Sequence, residues 1–142
     1  MNILVIGSGA REHAIVRTIE QSQKDKKIFC LAANVNPGIA ELCTDLTVAN
    51  INDTQTITSY ADERSIDLAI IGPENPLAIG AADALWDMGV KAVGPRKDLA
   101  QIETSKAFTR DLLTEYNIPA CPKYKTFSSL SGVAEFLGEL GE

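Results

Sequence analysis

The chain has 142 residues, of which 45% are hydrophobic and 23% are charged, and its 13 Lys and Arg against 19 Asp and Glu give a formal net charge of −6. This length and composition are typical of one soluble globular domain with its own core and room for an appended segment. The acidic balance disfavours a nucleic-acid surface, which would need a basic face, whereas a few local donors suffice for a small phosphorylated ligand.

The cysteines and the lengths of the apolar runs indicate the cellular compartment in which the protein is expected. The three cysteines, Cys30, Cys43 and Cys121, are an odd number without C-x-x-C spacing. This pattern disfavours a disulfide framework or a zinc site and favours buried or incidental thiols in a reducing compartment. The first apolar run, residues 3–6, is too short for a signal peptide, and no run approaches the length of a membrane span. We therefore expect a cytoplasmic protein with no membrane partner.

The chain begins with an apolar strand at 3–6, a glycine-containing turn, Gly7-Ser8-Gly9-Ala10-Arg11-Glu12, and a helix at about 11–22. This order aims free backbone N–H groups and the positive end of a helix dipole at one point, where phosphate commonly binds. An ordinary tight turn with helix-capping chemistry is the alternative. We favour contact with phosphate or a phosphosugar, because Arg11 adds a fixed positive fork.

A dinucleotide is not the expected ligand. Glu12 stands where the dinucleotide fingerprint requires its third glycine. The second strand, predicted at 28–31, leads into Ala32-Ala33-Asn34 and supplies no carboxylate for a ribose hydroxyl. NAD is therefore disfavoured, and another phosphate-bearing ligand stays open.

The residues up to about 100 alternate short apolar runs with helical stretches, which predicts βαβ units and a parallel sheet. In chain order we predict a helical turn near 39–42, a strand at 46–48, a helix at 54–64 capped by Asp53, a strand at 68–71, a helix capped by Asn75 that ends near Met88, and a strand at 90–93. A strand order of 3-2-1-4-5 would bring the turns after strands 1, 2 and 4 together, where ligands of such sheets bind.

Two of these turns carry candidate ligand residues. Asn36-Pro37-Gly38 is a turn by composition and becomes a candidate through its position after strand 2. In Gly72-Pro73-Glu74-Asn75-Pro76, the prolines would hold Glu74 in one direction, ready to accept hydrogen bonds from ligand hydroxyls or an amine. A rigid loop with a surface glutamate is equally compatible with this motif. His13, the sole histidine, is assigned no functional role, since a lone histidine at this position is more often a packing or capping residue than a catalyst.

The residues after Pro95 differ in character. They predict a helix at 99–116 with a break near Thr104-Ser105, a short strand at Tyr124–Phe127 and a helix at 131–140. Lys106, near a helix N-terminus, is placed to contact phosphate, with a solvated helix start as the alternative. This stretch has too little apolar material for a domain of its own. The sequence shows no Walker A motif, metal-ligand cluster or nucleophile–base signature.

Several motifs occur together in a specific order: Val5-Ile6-Gly7-Ser8-Gly9-x-Arg11-Glu12-His13-Ala14, Asn36-x-Gly38, Gly72-Pro73-Glu74-x-Pro76-Leu77, and Gly94-Pro95 followed by Glu103-x-Ser105-Lys106-x-Phe108. Together they resemble the N-terminal portion of the phosphoribosylamine–glycine ligases, or glycinamide ribonucleotide synthetases, a family of ATP-grasp enzymes of purine biosynthesis. The resemblance spans essentially the whole chain. Ala10 departs from the family's usual glycine, and Asn34-Val35 stand where the family commonly has Pro-Gly.

The resemblance implies a Rossmann-like (preATP-grasp) α/β domain at 1–100, with a doubly wound five-stranded parallel sheet. A linker and the start of an ATP-grasp domain would follow at 101–142. The full enzyme would join 5-phosphoribosylamine to glycine through glycyl phosphate, using ATP and Mg²⁺ (or Mn²⁺) bound by ligands outside this chain. Residues that the resemblance places around the phosphoribosylamine are Gly7, Gly9, Arg11, Glu12, Asn36, Gly38 and Glu74. Lys106 resembles a lysine that contacts the ATP phosphates, and the resemblance implies no catalytic acid or base in this chain.

We expect the 142 residues to be inactive alone, as a piece of a longer protein or one chain of a divided enzyme whose ATP-grasp domain lies on a separate partner chain. Two alternatives stay open. One is a complete nucleotide- or phosphosugar-binding module of Rossmann-like fold, and the other is a structural subunit that binds no ligand. Titration with ribose 5-phosphate, AMP and NAD separates the ligase interpretation from a dinucleotide domain.

Overall fold

The computed structural model describes residues 1–119 and 121–141. The chain divides into a first unit, Met1–Thr104, and a second unit that begins at Ser105. We call them unit 1 and unit 2. In the described part of the chain, no helix is long and apolar enough to cross a membrane.

Unit 1 contains a five-stranded parallel sheet in the order β3-β2-β1-β4-β5. Its strands are β1 (Asn2–Ile6), β2 (Lys27–Ala32), β3 (Asp45–Val48), β4 (Leu68–Ile71) and β5 (Lys91–Val93). The predicted strand order is confirmed. The central position of β1 follows from its composition, since Leu4, Val5 and Ile6 are all fully buried and a strand covered on both faces must be apolar throughout.

Six helices connect and cover these strands: α1 (Ala10–Glu20), α2 (Pro37–Ala40), α3 (Thr54–Glu63), α4 (Glu74–Ala78), α5 (Ala81–Asp87) and α6 (Lys97–Thr104). The predicted cap of α3 is confirmed, because the Asp53 carboxylate accepts hydrogen bonds from the backbone N–H groups of Gln55 and Thr56. Such a cap satisfies donors that have no partner within the helix.

The helical stretch after β4 differs from the prediction. It is interrupted at Gly80, whose φ of +91° lies in the left-handed region, so that α4 and α5 are separate helices. The expectation that Asn75 caps the helix is also wrong. Pro73 is the N-cap residue, in an extended conformation, and Glu74 is the first helical residue.

The core of unit 1 lies on both faces of the sheet. Leu4 and Ile6 belong to one buried cluster, which also contains Ile57 of α3 and Leu85 of α5. Val5 belongs to a second cluster, shared with α1 and α2. Successive residues of a strand point to opposite faces, so this alternation is the doubly wound arrangement that the sequence predicts. Full burial of such a side chain contributes roughly 1.5–3 kcal/mol.

Unit 2 contains α7 (Lys106–Glu115) and α8 (Val133–Leu140). The predicted helix break is confirmed at Ser105, whose hydroxyl caps α7 by accepting a hydrogen bond from the Phe108 N–H. The predicted strand at Tyr124–Phe127 is wrong, since this segment has no regular secondary structure. A strand needs a hydrogen-bonding partner, which local β-propensity does not supply. No described residue of α7 or α8 is fully buried.

Candidate functional site

Three turns lie at the carboxyl ends of neighbouring strands in unit 1, and the first of them contacts the other two. We call them turn 1 (residues 7–9), turn 2 (33–36) and turn 4 (72–73). The Asn36 side-chain amide donates a hydrogen bond of 2.9 Å to the Ser8 carbonyl, joining turn 2 to turn 1. A Cβ added at Gly7 would lie 2.9 Å from the Pro73 ring, so turn 4 packs against turn 1. The predicted convergence of these turns is therefore confirmed.

Gly7 is the residue at which turn 1 has least freedom. Its φ is +117°, a conformation that residues with a Cβ rarely adopt. Its N–H donates to the Leu31 carbonyl at 2.9 Å, and its carbonyl accepts from the Cys30 thiol at 3.3 Å. A side chain here would collide with both Pro73 and Glu12. The glycine therefore allows β2, turn 1 and turn 4 to approach closely.

Among the residues that the structure describes, Glu12 is the one charged residue that is buried, with 4% of its surface exposed. One carboxylate oxygen accepts a hydrogen bond of 2.6 Å from the Gly9 N–H. The other accepts from Arg11 Nε at 3.1 Å and occupies the space that a Cβ on Gly72 would take. Charge-assisted hydrogen bonds of this kind are among the stronger ones in proteins. The Glu12 carboxylate therefore connects turn 1 to turn 4.

This placement bears on how Glu12 could serve a ligand. Both carboxylate oxygens are engaged within the protein, and the Gly9 N–H that would face an anion already has an acceptor. The arrangement favours a positioning role over direct ligand contact. The sequence contains a signal for it, since an acidic residue three positions after a helix N-cap forms one half of a capping box. Gly9 has no side chain to form the other half.

The two exposed charged site candidates, Arg11 and Glu74, lie in the first turns of helices that leave adjacent strands. Arg11 belongs to α1, which follows β1, and Glu74 to α4, which follows β4. The β1 and β4 strands are hydrogen-bonded neighbours. The Arg11 side chain is 58% exposed and also borders a shallow apolar groove of about 370 Å³ on the outer face of α1. Glu74 is exposed. Their contact with one common ligand stays a prediction.

Turn 2 is fixed from both sides. Asn36 caps α2, with its carbonyl oxygen accepting from the Ile39 N–H while its amide reaches Ser8. A Cβ at Gly38 would lie 2.6 Å from the ring of His13. His13, to which the sequence assigns no functional role, therefore packs against Gly38. Asn36 and Gly38 thus shape the site through their contacts with turn 1 and α1.

Two cysteines lie beside this region without reactive character. Burial raises the pKa of the Cys30 thiol to about 12, with further contributions from Cys43 and Glu12. Burial likewise raises the pKa of Cys43 to about 11, helped by Asp45. Both thiols are therefore protonated near neutral pH, and a protonated thiol is a poor nucleophile and metal ligand. This agrees with the buried or incidental thiols that the sequence predicts.

Lys106 belongs to unit 2, where it begins α7 directly after the Ser105 cap. It is exposed and borders a cavity of about 410 Å³ formed within that unit.

The described residues also bear on whether this chain holds a metal site. Within residues 1–119 and 121–141, no group of three or more His, Cys, Asp or Glu side chains is arranged to hold a metal ion.

The family of the chain follows from its match to known sequences. The model of the family described as phosphoribosylglycinamide synthetase, N domain, matches residues 1–103. The chain belongs to this family. A phosphoribosylamine–glycine ligase from Methanococcoides burtonii is 45% identical over 141 residues, which are 99% of this chain and 33% of that protein. One from Methanocaldococcus jannaschii is 43% identical, over 100% of this chain and 32% of that protein. The chain thus spans about a third of the length of these relatives.

Solved structures share the fold of this phosphoribosylglycinamide synthetase family member. The phosphoribosylglycinamide synthetase from Anaerococcus prevotii aligns with a TM-score of 0.68 and 11% identity, over 97% of this chain and 34% of that one. An N5-carboxyaminoimidazole synthetase from Staphylococcus aureus aligns with a TM-score of 0.70 and 13% identity, over 99% and 36%. At these identities the likeness shows the α/β fold alone.

Proposed function

We propose that this chain is the N-terminal part of a phosphoribosylamine–glycine ligase and that its strand-end turns bind the phosphosugar of 5-phosphoribosylamine. Membership of the N-domain family over residues 1–103 supports the first part of the proposal. The contact of turn 1 with both turn 2 and turn 4 is the observation that carries the second part.

The proposed site uses the chemistry of a helix N-terminus. The first N–H groups of α1 have no acceptor within the helix, and a phosphate can satisfy them. Because Glu12 takes the Gly9 N–H, we assign the phosphate to the donors that follow Gly9 and to the exposed guanidinium of Arg11. Glu74, in the first turn of α4, would accept hydrogen bonds from a ribose hydroxyl or from the reacting amine.

The proposed reaction has two steps. The glycine carboxylate attacks the terminal phosphorus of ATP, which gives glycyl phosphate and ADP. The amine of 5-phosphoribosylamine then attacks the acyl carbon, inorganic phosphate leaves, and the amine nitrogen loses a proton to give glycinamide ribonucleotide. In this chain, the strand-end turns would hold the sugar so that its amine faces the acyl carbon. Orientation of this kind can supply a large part of a rate enhancement.

We assign the nucleotide contact of this chain to Lys106, whose ammonium group would pair with an ATP phosphate. The Staphylococcus aureus structural neighbour was solved as a complex with ADP, which supports nucleotide use by the full enzyme. A Mg²⁺ (or Mn²⁺) ion bound with ATP would neutralise phosphate charge. The described residues include no cluster suited to hold such an ion, so no step of this proposal uses a metal ligand from them.

Calorimetric titration of the full chain with ribose 5-phosphate tests the proposed site. We expect saturable binding that Arg11→Ala weakens by about tenfold, since a hydrogen bond to a charged group is worth roughly 1.5–3 kcal/mol. Arg17→Ala is the matched control, because Arg17 is also exposed on α1 but lies in its last turn. Wild-type protein that does not bind ribose 5-phosphate would overturn the proposal. Equal affinities of the Arg11 and Arg17 variants would remove Arg11 from the site.

A second assay addresses the reaction itself. We expect no glycinamide ribonucleotide from this chain incubated with ATP, glycine and phosphoribosylamine, because it spans about a third of the length of its relatives. Product formation by the purified chain would contradict this expectation.

A further inference from the structure

A cavity of about 410 Å³ lies within unit 2. One wall is a face of α7, on which Lys106 and Arg110 are four residues apart and therefore point the same way. The other wall is the irregular segment 124–127. The lining residues are Lys106, Ala107, Arg110, Tyr124, Lys125, Thr126 and Phe127. The volume falls within the range typical of sites for small ligands.

The charge of this lining differs from that of the whole chain. Lys106, Arg110 and Lys125 are cationic, and no lining residue is acidic, whereas the chain carries a formal charge of −6. Asp111, the acidic residue next to Arg110 in the sequence, accepts a hydrogen bond of 2.7 Å from the Tyr124 hydroxyl. Three cations around one concave surface attract a ligand with several negative charges.

Arg110 and Lys125 are held in place by partners that do not neutralise them. Arg110 donates to the Cys121 sulfur at 3.7 Å, and the Lys125 ammonium lies 5.3 Å from the centre of the Phe127 ring. Sulfur is a weak acceptor, and an aromatic face attracts a cation through its quadrupole while leaving the charge intact. The Phe127 ring in turn packs against Phe136 at 5.9 Å. The charges of Arg110 and Lys125 therefore stay available to a ligand.

The residue types indicate the class of anion. Arg110 offers a planar fork that matches two oxygens of a phosphate, and the two lysines act as point charges around it. A linear oligophosphate carries at least as many negative charges as this cavity has cations. A single carboxylate would leave most of the positive charge unpaired.

We propose that Arg110 and Lys125, together with Lys106, bind the oligophosphate of a nucleotide in this cavity. The inference rests on the nucleotide contact assigned to Lys106 under the proposed function, and it adds two binding residues that the sequence motifs did not indicate. Arg110 holds a pair of phosphate oxygens, and Lys125 neutralises charge on the opposite wall.

Calorimetric titration of the full chain with inorganic triphosphate, ATP and adenosine tests this inference. We expect triphosphate and ATP to bind and adenosine not to bind. Arg110→Gln and Lys125→Gln should each weaken triphosphate binding by about tenfold, because each removes a charge-assisted contact. Lys123→Gln is the matched control, since Lys123 is exposed two residues before Lys125 and does not line the cavity. It should change the affinity by less than about twofold.

The possible outcomes separate this inference from the proposed function. If only Lys106→Gln weakens binding, the nucleotide contact of Lys106 stands and the roles of Arg110 and Lys125 are overturned. If Lys123→Gln weakens binding as much as the other variants, the attraction is a diffuse surface effect and the inference fails. Wild-type protein that binds no triphosphate, or binds adenosine equally well, also overturns it, while the ribose 5-phosphate titration still judges the strand-end site. Far-UV circular dichroism of each variant verifies that it is folded.

Discussion

Units 1 and 2 differ in how their candidate sites are supported. In unit 1, turns 1, 2 and 4 follow strands whose side chains include several that are completely buried, among them Leu4 and Leu31. In unit 2, large apolar side chains are exposed, including Leu130 at 89% and Leu137 at 45%. Backbone at the end of a buried strand is held by the core, whereas the cavity of unit 2 depends on local contacts between side chains. The comparison predicts that equal substitutions will have unequal effects in the two units.

The largest difference should come from core truncation. We expect Leu4→Ala to lower the free energy of unfolding of unit 1 by about 2–5 kcal/mol, because it leaves a cavity in a fully buried strand. Leu137→Ala removes the same atoms from a half-exposed position of α8 and should leave unit 1 unaffected. Urea unfolding followed by the fluorescence of Trp86, the sole tryptophan and a residue of α5, measures unit 1. Similar shifts for the two variants would contradict the comparison.

Glycine-to-alanine substitutions should lower the free energy of unfolding in unit 1 and raise it in unit 2. Gly72→Ala places a methyl group against the buried Glu12 carboxylate, and we expect a loss of about 1–3 kcal/mol from overpacking. Gly138→Ala meets no atom within 4 Å and lies inside α8, so it should stabilise that helix by up to about 1 kcal/mol. Thermal unfolding followed by far-UV circular dichroism tests both. A neutral Gly72→Ala would show that turns 1 and 4 are not closely packed.

Removing the charge of Glu12 should destabilise unit 1 less than crowding its carboxylate with Gly72→Ala. Glu12→Gln keeps the shape of the side chain but weakens the hydrogen bonds from Gly9 and Arg11, and we expect a loss of about 1–2 kcal/mol in unit 1. Glu20→Gln, at the exposed last residue of α1, is the control and should be nearly neutral. Denaturant unfolding of the two variants measures the difference. Equal stabilities would mean that the Glu12 carboxylate does not join the turns.

The smallest predicted effect is a dependence on alkaline pH. Burial raises the pKa of Cys30 from 9.0 to about 12 and that of Cys43 from 9.0 to about 11. The unfolded chain therefore loses these protons at lower pH than the folded chain, so the free energy of unfolding should fall as the pH rises above about 9. Burial also raises the pKa of Tyr60 from 10.0 to about 12, which adds to the fall in the free energy of unfolding at alkaline pH. Unfolding of a Cys30→Ala, Cys43→Ala double variant across this range should show a shallower fall than wild type.

Much of the fold of unit 1 is predictable from sequence. Short, wholly apolar runs such as 3–6 and 68–71 indicate buried parallel strands. The cap of α3 is equally local, since Asp53 needs only the backbone of the residues that follow it. These features follow from one strand, one turn or one helix end, and the relevant residues stand next to each other in the chain.

Features that depend on distant contacts were harder to predict. The Glu12 carboxylate is buried because Gly72, sixty positions later, leaves room for it. The apolar pattern after β4 is helical through residue 88 and does not reveal that Gly80 takes a left-handed conformation. Tyr124–Phe127 has the composition of a strand without a partner strand. The cavity of unit 2 likewise brings together Arg110 and Lys125, which are fifteen positions apart in the chain, so motif spacing indicated Lys106 but neither of these residues.

Residue-resolved NMR of the ¹⁵N-labelled chain, titrated with ribose 5-phosphate, tests most directly whether turns 1, 2 and 4 form one phosphosugar site. The backbone amides of Gly7 and Gly9 in turn 1, Asn36 in turn 2 and Gly72 in turn 4 should shift together along a single binding curve, while the amides of α8 stay unchanged. Shifts confined to one turn, or located only outside these turns, would contradict the shared site.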